Sequence, residues 1–316
     1  MHSDVFRFGL VGLGRWGTTY LKSISQMAHA RVDRVAGRPH QRGNLHSFPD
    51  VGFTEDWREV CSDQSLDGVI ICSSPDSHYE LVKYAIGNGI PVIVEKPFTL
   101  SASHTEELNL LSQRAGVLCM VAYTHLFAPG YRDLKGCVTR SGSLSKIFSE
   151  GFSSGPFREN VPVLWDWGSH DVSMCLDLVD APVVSAELSA VPKPEPHQHS
   201  QILMLQMKFS NEVEARCIFG NAAEFKRRDL FVVCGDDYFL YDGLSPGLAR
   251  QFSSKVSSIN YLSFKEYPKP LDCLVTEFVS FVRSGRTHHY SIDLASRVNR
   301  VLAGVGSDLE ASHQRS

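Results

Sequence analysis

The sequence predicts an α/β fold in two parts: a doubly wound parallel sheet at the N-terminus, then an α/β domain with an open-faced, mostly antiparallel sheet. Three observations predict it. Short apolar strand signals alternate with helix signals over the first 120 or so residues, a glycine-rich turn follows the first strand, and later strand signals succeed one another without helices between them. Short apolar strands spaced by helices imply parallel βαβ units with both sheet faces covered, whereas strands in series imply antiparallel pairing.

The elements follow in order. Val5–Val11 is an apolar, partly alternating run ending in Gly12. Thr18–Ala28 reads as a helix, Val32–Ala36 as a short strand and Gly68–Cys72 as a buried one. His78–Asn88 is a helix stopped by Gly87, Asn88 and Gly89. Pro91–Val94 is a strand, Ser103–Ala115 a helix ended by Gly116, and Val117–Ala122 the next strand. A dinucleotide-binding domain is therefore expected over residues 1–123, with a substrate-binding and oligomerisation domain over 124–316. The second part opens with a helix, Pro129–Arg140, and the segment Leu144–Phe152. Strands follow at Val184–Val191, Ser200–Phe209, Val213–Gly220, Asp229–Gly235 and Tyr238–Asp242, with a Pro-rich break, PKPEPHQHS, between the first two. Leu271–Ser284 and Asp293–Glu310 read as closing helices. In Ile202–Phe209 both faces are apolar, Ile202 and Met204 on one, Leu203, Leu205, Met207 and Phe209 on the other. An antiparallel sheet usually wets one face, so helices are expected on one side and a second subunit on the other, in a homodimer or homotetramer.

Composition narrows the function. An apolar share of 43% and a charged share of 21% suit a soluble globular chain. A net charge of -4 with no basic block gives no reason to expect nucleic acid as a partner. No apolar run nears the roughly 18 residues of a membrane span. The start, MHSDVFRFGLVGLG, runs straight into a strand without a signal-peptide pattern, which points to the cytoplasm. Eight cysteines without CxxC spacing, among them Cys72, Cys119, Cys175 and Cys234 in apolar runs, read as reduced buried thiols. His197/His199 and His288/His289 lie in loops without further ligands nearby, so no metal is expected.

Gly12-Leu13-Gly14-Arg15-Trp16-Gly17 is GxGxxG after a strand and before a helix. The first glycine makes the turn, the second lets backbone approach a pyrophosphate, and the third lets helix and strand pack closely. An acid about 20 residues on would bind the ribose hydroxyls of NAD. Gly37 stands there instead, followed by Arg38, and a guanidinium suits the 2′-phosphate of NADP. NADP is therefore the expected cofactor, with NAD the alternative and a solvated Arg38 the plain reading. Asp33 falls inside the strand, away from its tip.

With VGLGRWG, CSSPDSHYE, VEKPFTL, LFAPGYRDLK and DWGSHD in that order, the chain resembles the Gfo/Idh/MocA oxidoreductases, over nearly its whole length. Glu95-Lys96-Pro97 at the end of a parallel strand is the most specific single piece. The resemblance implies a Rossmann domain, an open-faced second domain, and hydride transfer between NAD(P) and an alcohol or carbonyl of a sugar, cyclitol or sugar nucleotide. It places Gly12, Gly14, Arg15, Trp16, Gly17, Arg38, Ser73, Ser74, Pro75, His78, Glu95 and Lys96 at the cofactor. Three features depart from or qualify the pattern. Ala128 stands where Asn often precedes the proline, and Ser173 where an Asp often follows the histidine. Relatives also include a cofactor-binding corepressor, which keeps open a catalytically inactive regulatory or scaffold protein on the same fold.

The stretch VLWDWGSHDV carries the chemistry. Asp166 and His170 are four apart and would share one face of a helix. Gly168 between them leaves room for a ligand, and Val172, Cys175, Leu176 and Val179 form the stripe that docks the helix. The resemblance makes His170 the acid/base and Asp166 the group that orients it or grips a substrate hydroxyl. Removing an alcohol proton as hydride leaves needs a group with a pKa near neutrality. Lys96 polarises the oxygen or shares the proton transfer, and with His170 flanks the reacting bond. Asp171 either complements the helix dipole or touches substrate. Trp165 and Trp167 line a sugar face or fill the core. Arg158 meets substrate or is a surface charge, and Tyr123 reaches the active site or caps its crevice. Lys226, Arg227 and Arg228 read as a solvated turn.

Overall fold

A computed structural model describes residues 5–191, 200–245, 249–253, 259–261 and 267–313. The chain begins with β1 (Phe6–Val11), α1 (Arg15–Ile24), β2 (Ala30–Ala36), a 3-10 stretch at Pro39–Leu45, β3 (Gly52–Thr54) and α2 (Trp57–Cys61). It continues through β4 (Gly68–Ile71), α3 (Pro75–Gly87), β5 (Val92–Glu95), α4 (Ala102–Ala115) and β6 (Cys119–Ala122). The six strands lie in the order β3-β2-β1-β4-β5-β6, and every pair is parallel. Val69, Ile70 and Ile71 in β4 and Val92, Ile93 and Val94 in β5 are fully buried, as strands covered on both faces must be. The chain reverses its winding between β1 and β4, and in such sheets ligands bind at that point, beyond the carboxyl ends of the strands.

The second sheet follows a 3-10 turn at Thr124–Phe127. Its elements are α5 (Pro129–Ser141), β7 (Leu144–Ser154), α6 (Val163–Asp166), α7 (Gly168–Leu178), β8 (Val183–Ala190), β9 (Ile202–Phe209), β10 (Glu214–Gly220), β11 (Ala222–Cys234), β12 (Asp237–Asp242), β13 (Ala249–Ser253) and β14 (Ile259–Tyr261). The order is β14-β13-β12-β11-β7-β10-β9-β8. Among the described residues only β7 with β10 is parallel; the other pairs are antiparallel. Leu203, Leu205, Met207 and Phe209, with Ala215, Cys217 and Phe219, are buried on one face. There α7 closes over the sheet: Cys175 Sγ lies 3.6 Å from Cys217 Sγ. Val213, Ala215, Cys217 and Phe219 thus belong to the helix-covered side. On the other face Ile202, Met204 and Ile218 are half-buried, and Phe148 and Phe225 are 36% and 61% exposed.

The chain closes with α8 (Pro270–Arg283) and α9 (Tyr290–His313). Contacts divide it into two units, Met1–Ala122 with Leu271–Ser296, and Tyr123–Pro270 with Arg297–Ser316. The sequence places everything after residue 123 in one domain; instead α8 packs with the first sheet. The reason is apolar burial. Leu271, Leu274, Val275, Phe278 and Val279 form a buried stripe, and the Phe278 ring meets Phe6 at 6.1 Å and Phe8 at 5.8 Å. Gly68 admits that ring, since a Cβ there would lie 2.9 Å from Phe278 Cε1. Polar ties add to it: the Val121 amide donates to Ser291 Oγ at 2.9 Å and Asn109 Nδ2 to Asp293 Oδ1 at 3.1 Å.

Candidate functional site

The glycine loop is as tight as its pattern requires. Gly12 has φ +98, and a Cβ there would meet the Ser73 amide nitrogen at 2.7 Å; one at Gly17 would meet the Gly12 carbonyl oxygen at 2.0 Å. At Gly14 nothing lies nearer than Gln41 Nε2 at 4.0 Å, so the space above that backbone is open. A cleft there is lined by Leu13, Gly14, Arg15, Thr18, Thr19, Lys22, His40, Gln41 and Asn44. These residues fit a dinucleotide, with open backbone and a helix N-terminus facing a pyrophosphate. His40, Gln41 and Asn44 come from the 3-10 stretch that sequence reasoning left without an element. Asn44 Nδ2 donates to the Leu13 carbonyl at 3.0 Å, and the Arg38 amide donates to Gln41 Oε1 at 2.9 Å. Arg38 is exposed, and Trp16 half-buried. Asp33 is engaged by Arg7 at 2.5 Å and Arg31 at 2.6 Å.

At the end of β5 Glu95 is buried. Its carboxylate accepts from Tyr20 OH at 3.0 Å and from the Lys96 amide at 3.2 Å. Burial first, and then the Glu95 charge, push the Tyr20 phenol and the Cys72 thiol well above their ordinary values. Both therefore stay neutral beside the carboxylate. Lys96 is only 9% exposed. Pro75 begins α3 with Ser74 as its N-cap, and Ser73 Oγ bonds Ser77 Oγ at 2.7 Å. His78, in the first turn of α3, has no exposed surface. Its Nδ1 lies 3.0 Å from the Pro97 carbonyl and 3.3 Å from that of Phe98, and its Nε2 3.2 Å from that of Ser73. His78 thus braces the loops after β4 and β5 from inside.

The stretch 163–172 is two helices. Expected as one face of a continuous helix, Asp166 ends α6 and His170 lies in the first turn of α7. The His170 amide bonds Trp167 O at 3.1 Å, three residues back, so the i to i−4 ladder is interrupted between them. Gly168 makes room for protein: a Cβ there would lie 2.8 Å from Phe219 Cζ. Asp166 is buried and pairs with Arg158 at 3.4 Å. His170 and Trp165 are half-buried. Asp171 is fully buried, accepts from Ser149 Oγ at 2.5 Å and lies 3.7 Å from Arg228 Nη1. Burial pushes its pKa up, against the opposing pull of Arg228 and Ser149. Gly151 makes this approach possible, since a Cβ there would stand 2.6 Å from Asp171 Oδ2 and 2.7 Å from Arg228 Nη1.

Arg228 corrects the expected solvated turn. Residues 226–228 lie inside β11, and the Arg228 side chain is 13% exposed, with its guanidinium 4.9 Å from the Trp167 ring. The signal was legible: Arg228, Leu230, Val232 and Cys234 alternate onto one face, and strand periodicity run back from Leu230 sends Arg228 inward. Tyr123 and Trp167 are buried, and the Tyr123 hydroxyl and Trp167 Nε1 have no hydrogen-bond partner among the described residues. His125, missed in the sequence, stands beside His170, and Tyr241 beside His125. The His125 and His170 rings are 5.3 Å apart, and His125 Nδ1 is 3.3 Å from Tyr241 OH.

Among the described residues no three His, Cys, Asp or Glu gather as for a metal ion, and no helix is long and apolar enough to cross a membrane. His288 pairs with Asp293 at 2.7 Å, and His289 with Glu277 at 3.1 Å. His197 and His199 lie outside the described residues.

A six-stranded parallel sheet with a glycine loop at its switch point defines a dinucleotide-binding fold. Residues 6–123 match the GFO_IDH_MocA oxidoreductase family, NAD-binding Rossmann fold. A structure from Magnetospirillum magnetotacticum MS-1, described as an oxidoreductase, is 30% identical at a TM-score of 0.83, over 95% of this chain and 99% of that one. The chain belongs to the Gfo/Idh/MocA oxidoreductase family. Among curated proteins it is 28% identical over 192 residues to scyllo-inositol 2-dehydrogenase (NAD(+)) of Bacillus subtilis (strain 168), 57% of this chain and 55% of the relative. It is 25% identical over 209 residues to scyllo-inositol 2-dehydrogenase (NADP(+)) IolW of the same organism, 59% of this chain and 56% of that one. The matches span about half the length of these two curated relatives.

The brace formed by His78 sets a pH dependence. Burial lowers its pKa, outweighing the carbonyls that favour protonation. The unfolded chain takes up a proton near pH 6.5, while the folded one does so only at its lower value. Its contribution to stability is therefore complete above about pH 6.5 and is lost as pH falls through the folded value. Melting temperatures of wild type and His78→Gln from pH 8 to 5 test this. The wild-type curve is expected to fall more steeply below about pH 6.5; parallel curves would remove His78 as the source.

Proposed function

We propose that the protein is an NAD(P)-dependent dehydrogenase or reductase acting on a CH–OH group or the matching carbonyl of a sugar, cyclitol or sugar nucleotide. The observation that carries this reading is the presence in one chain of an open glycine cradle, a lysine seated by a buried glutamate at a strand end, and a half-buried histidine one residue from a buried carboxylate. When bound, the nicotinamide accepts or supplies the hydride. In the oxidation direction the alcohol proton passes to the neutral imidazole of His170 as hydride leaves the carbon. The Lys96 ammonium stabilises negative charge on the oxygen, and Asp166 orients the substrate or the imidazole. The Tyr123 hydroxyl and Trp167 indole N–H, without a hydrogen-bond partner among the described residues, suit a hydroxylated ring, because buried polar groups rarely go unbonded. Arg158 and Asp171 act behind them, each engaged with a partner of opposite charge.

Incubating the protein with NADP or NAD and a panel of sugars, cyclitols and sugar nucleotides, and following reduced-nicotinamide absorbance, tests the activity. With the substrate found, Lys96→Ala and His170→Ala are each expected to lower kcat by roughly 10²-fold or more. Cofactor affinity changes little for His170→Ala, and Asp166→Asn acts more mildly, on KM or the pH profile. Near-wild-type kcat in either alanine variant would overturn these roles.

The cofactor is NADP by this reading. Gly37 puts no acid at the tip of β2, Asp33 is held by two arginines, and Arg38 is exposed beside the cleft. Calorimetric titration is expected to show NADP binding tighter than NAD by roughly 10-fold or more, the value of a charge-assisted contact. Arg38→Ala should weaken NADP selectively. Equal or tighter NAD binding would remove the argument.

The open face of the second sheet supports self-association as a dimer or tetramer. Aromatic side chains meet on it, Phe148 with Phe231 at 6.1 Å and Phe231 with Tyr238 at 5.8 Å. Light scattering at micromolar concentration is expected to give at least twice the 35.1 kDa chain mass; a strictly monomeric mass would sink the proposal.

A further inference from the structure

The second unit holds a closed circuit of rings that begins and ends on α7. The Tyr131 hydroxyl, on α5, reaches α7 at its C-terminal half, donating to Asp177 Oδ2 at 2.7 Å and lying 3.2 Å from Met174 O. The Tyr131 ring stands edge-on to Tyr241 of β12, 5.8 Å away at 75°. Tyr241 stands edge-on to His125 at 6.3 Å and 77°, with its hydroxyl 3.3 Å from His125 Nδ1. His125 in turn meets His170, in the first turn of α7, at 5.3 Å and 87°. Edge-to-face contact is the arrangement that aromatic rings prefer. Tyr131 and Tyr241 are 0% and 1% exposed, so two members of the circuit are fixed in the core. Gly243 leaves the space that His125 occupies: a Cβ there would lie 3.3 Å from His125 Cε1.

We propose that His125 is a positioning residue: its ring, held by Tyr241, fixes the plane of the His170 imidazole for proton transfer. This rests on the reading of His170 as the proton-transfer group. The physical need is clear. His170 is only half-buried, and proton transfer needs its imidazole held in line with a substrate oxygen against rotation about its χ angles. Misplacement of a reacting group by about 1 Å can cost on the order of 10²-fold in rate. A ring whose far side is anchored through two buried tyrosines to the same helix removes that freedom. Burial pushes the Tyr241 phenol up, so it stays protonated beside His125.

The test has two arms. In the unliganded protein labelled at histidine, the His170 Cε1–H resonance is assigned by its loss in His170→Ala and then followed in variants of His125. His125→Ala is expected to move that resonance and to lower kcat about 10-fold with KM within about 2-fold. His125→Phe keeps an aromatic edge but no ring nitrogen; it is expected to hold the resonance near its wild-type position and to recover most of kcat. An unmoved resonance in His125→Ala overturns the proposal, as does a moved resonance with unchanged kcat. A His125→Phe variant as impaired as His125→Ala also overturns it, because an aromatic edge against His170 would then not be what positions it. A wild-type protein that turns over nothing in the substrate panel overturns the functional reading instead, and the resonance arm still decides whether His125 holds His170.

Discussion

The Gly12 carbonyl oxygen sits 2.0 Å from where a side chain at Gly17 would begin. No residue with a Cβ can stand there, so the turn from β1 into α1 closes this tightly only with glycine. Much of the first unit depends on that approach. Cys72 Sγ at the end of β4 donates to the same Gly12 carbonyl at 3.0 Å, which ties the two strands at the switch point. The position of α1 sets Tyr20, whose hydroxyl holds Glu95, and Glu95 accepts the amide of Lys96. A contact in the first turn is thereby transmitted to the lysine at the end of β5.

The second unit is organised around the opposite problem, a carboxylate with no exposed surface. Removing an ion from water costs several kcal/mol even after relaxation. Asp171 offsets that cost with the Ser149 hydroxyl and the Arg228 guanidinium, drawn from two adjacent strands of the sheet. Gly151 lets both come close. The consequence is geometric: the first turn of α7 is tied to β7 and β11, and His170 and Trp167 take their places from it. In both units a glycine permits the close approach and a buried acid lies next to the residue proposed to act on substrate, Glu95 beside Lys96 and Asp171 beside His170.

Strands β1, β2, β4, β5 and β6 and helices α1, α3 and α4 were legible because each carries its own periodicity, whereas β3, at 3 residues, and α2, at 5, are too short to show a period. GxGxxG was legible because local backbone chemistry specifies it, and Glu95-Lys96-Pro97 through the resemblance to the family. Residues 226–228 were misread because three successive basic side chains look solvated, yet a strand sends alternate residues to opposite faces, and the inner face had an acid and an indole for Arg228 to meet. Gly168 was read as space for a ligand, and the space belongs to Phe219 of β10. His125 carried no signal, since one histidine in a short turn is unremarkable until Tyr241, more than a hundred residues on, is folded against it.

The sequence by itself determined most of the longer elements, the glycine cradle and the identity of the chemical groups, because these depend on residues within a turn or a helix of one another. Only the tertiary structure decided which groups are paired. That α8 returns to the first sheet depends on Phe278 finding Phe6 and Phe8. That Asp171 is spoken for depends on Ser149 and Arg228. These are contacts between residues far apart in the chain, set by burial and desolvation, and no local pattern encodes which partner a side chain will reach when the sheet closes.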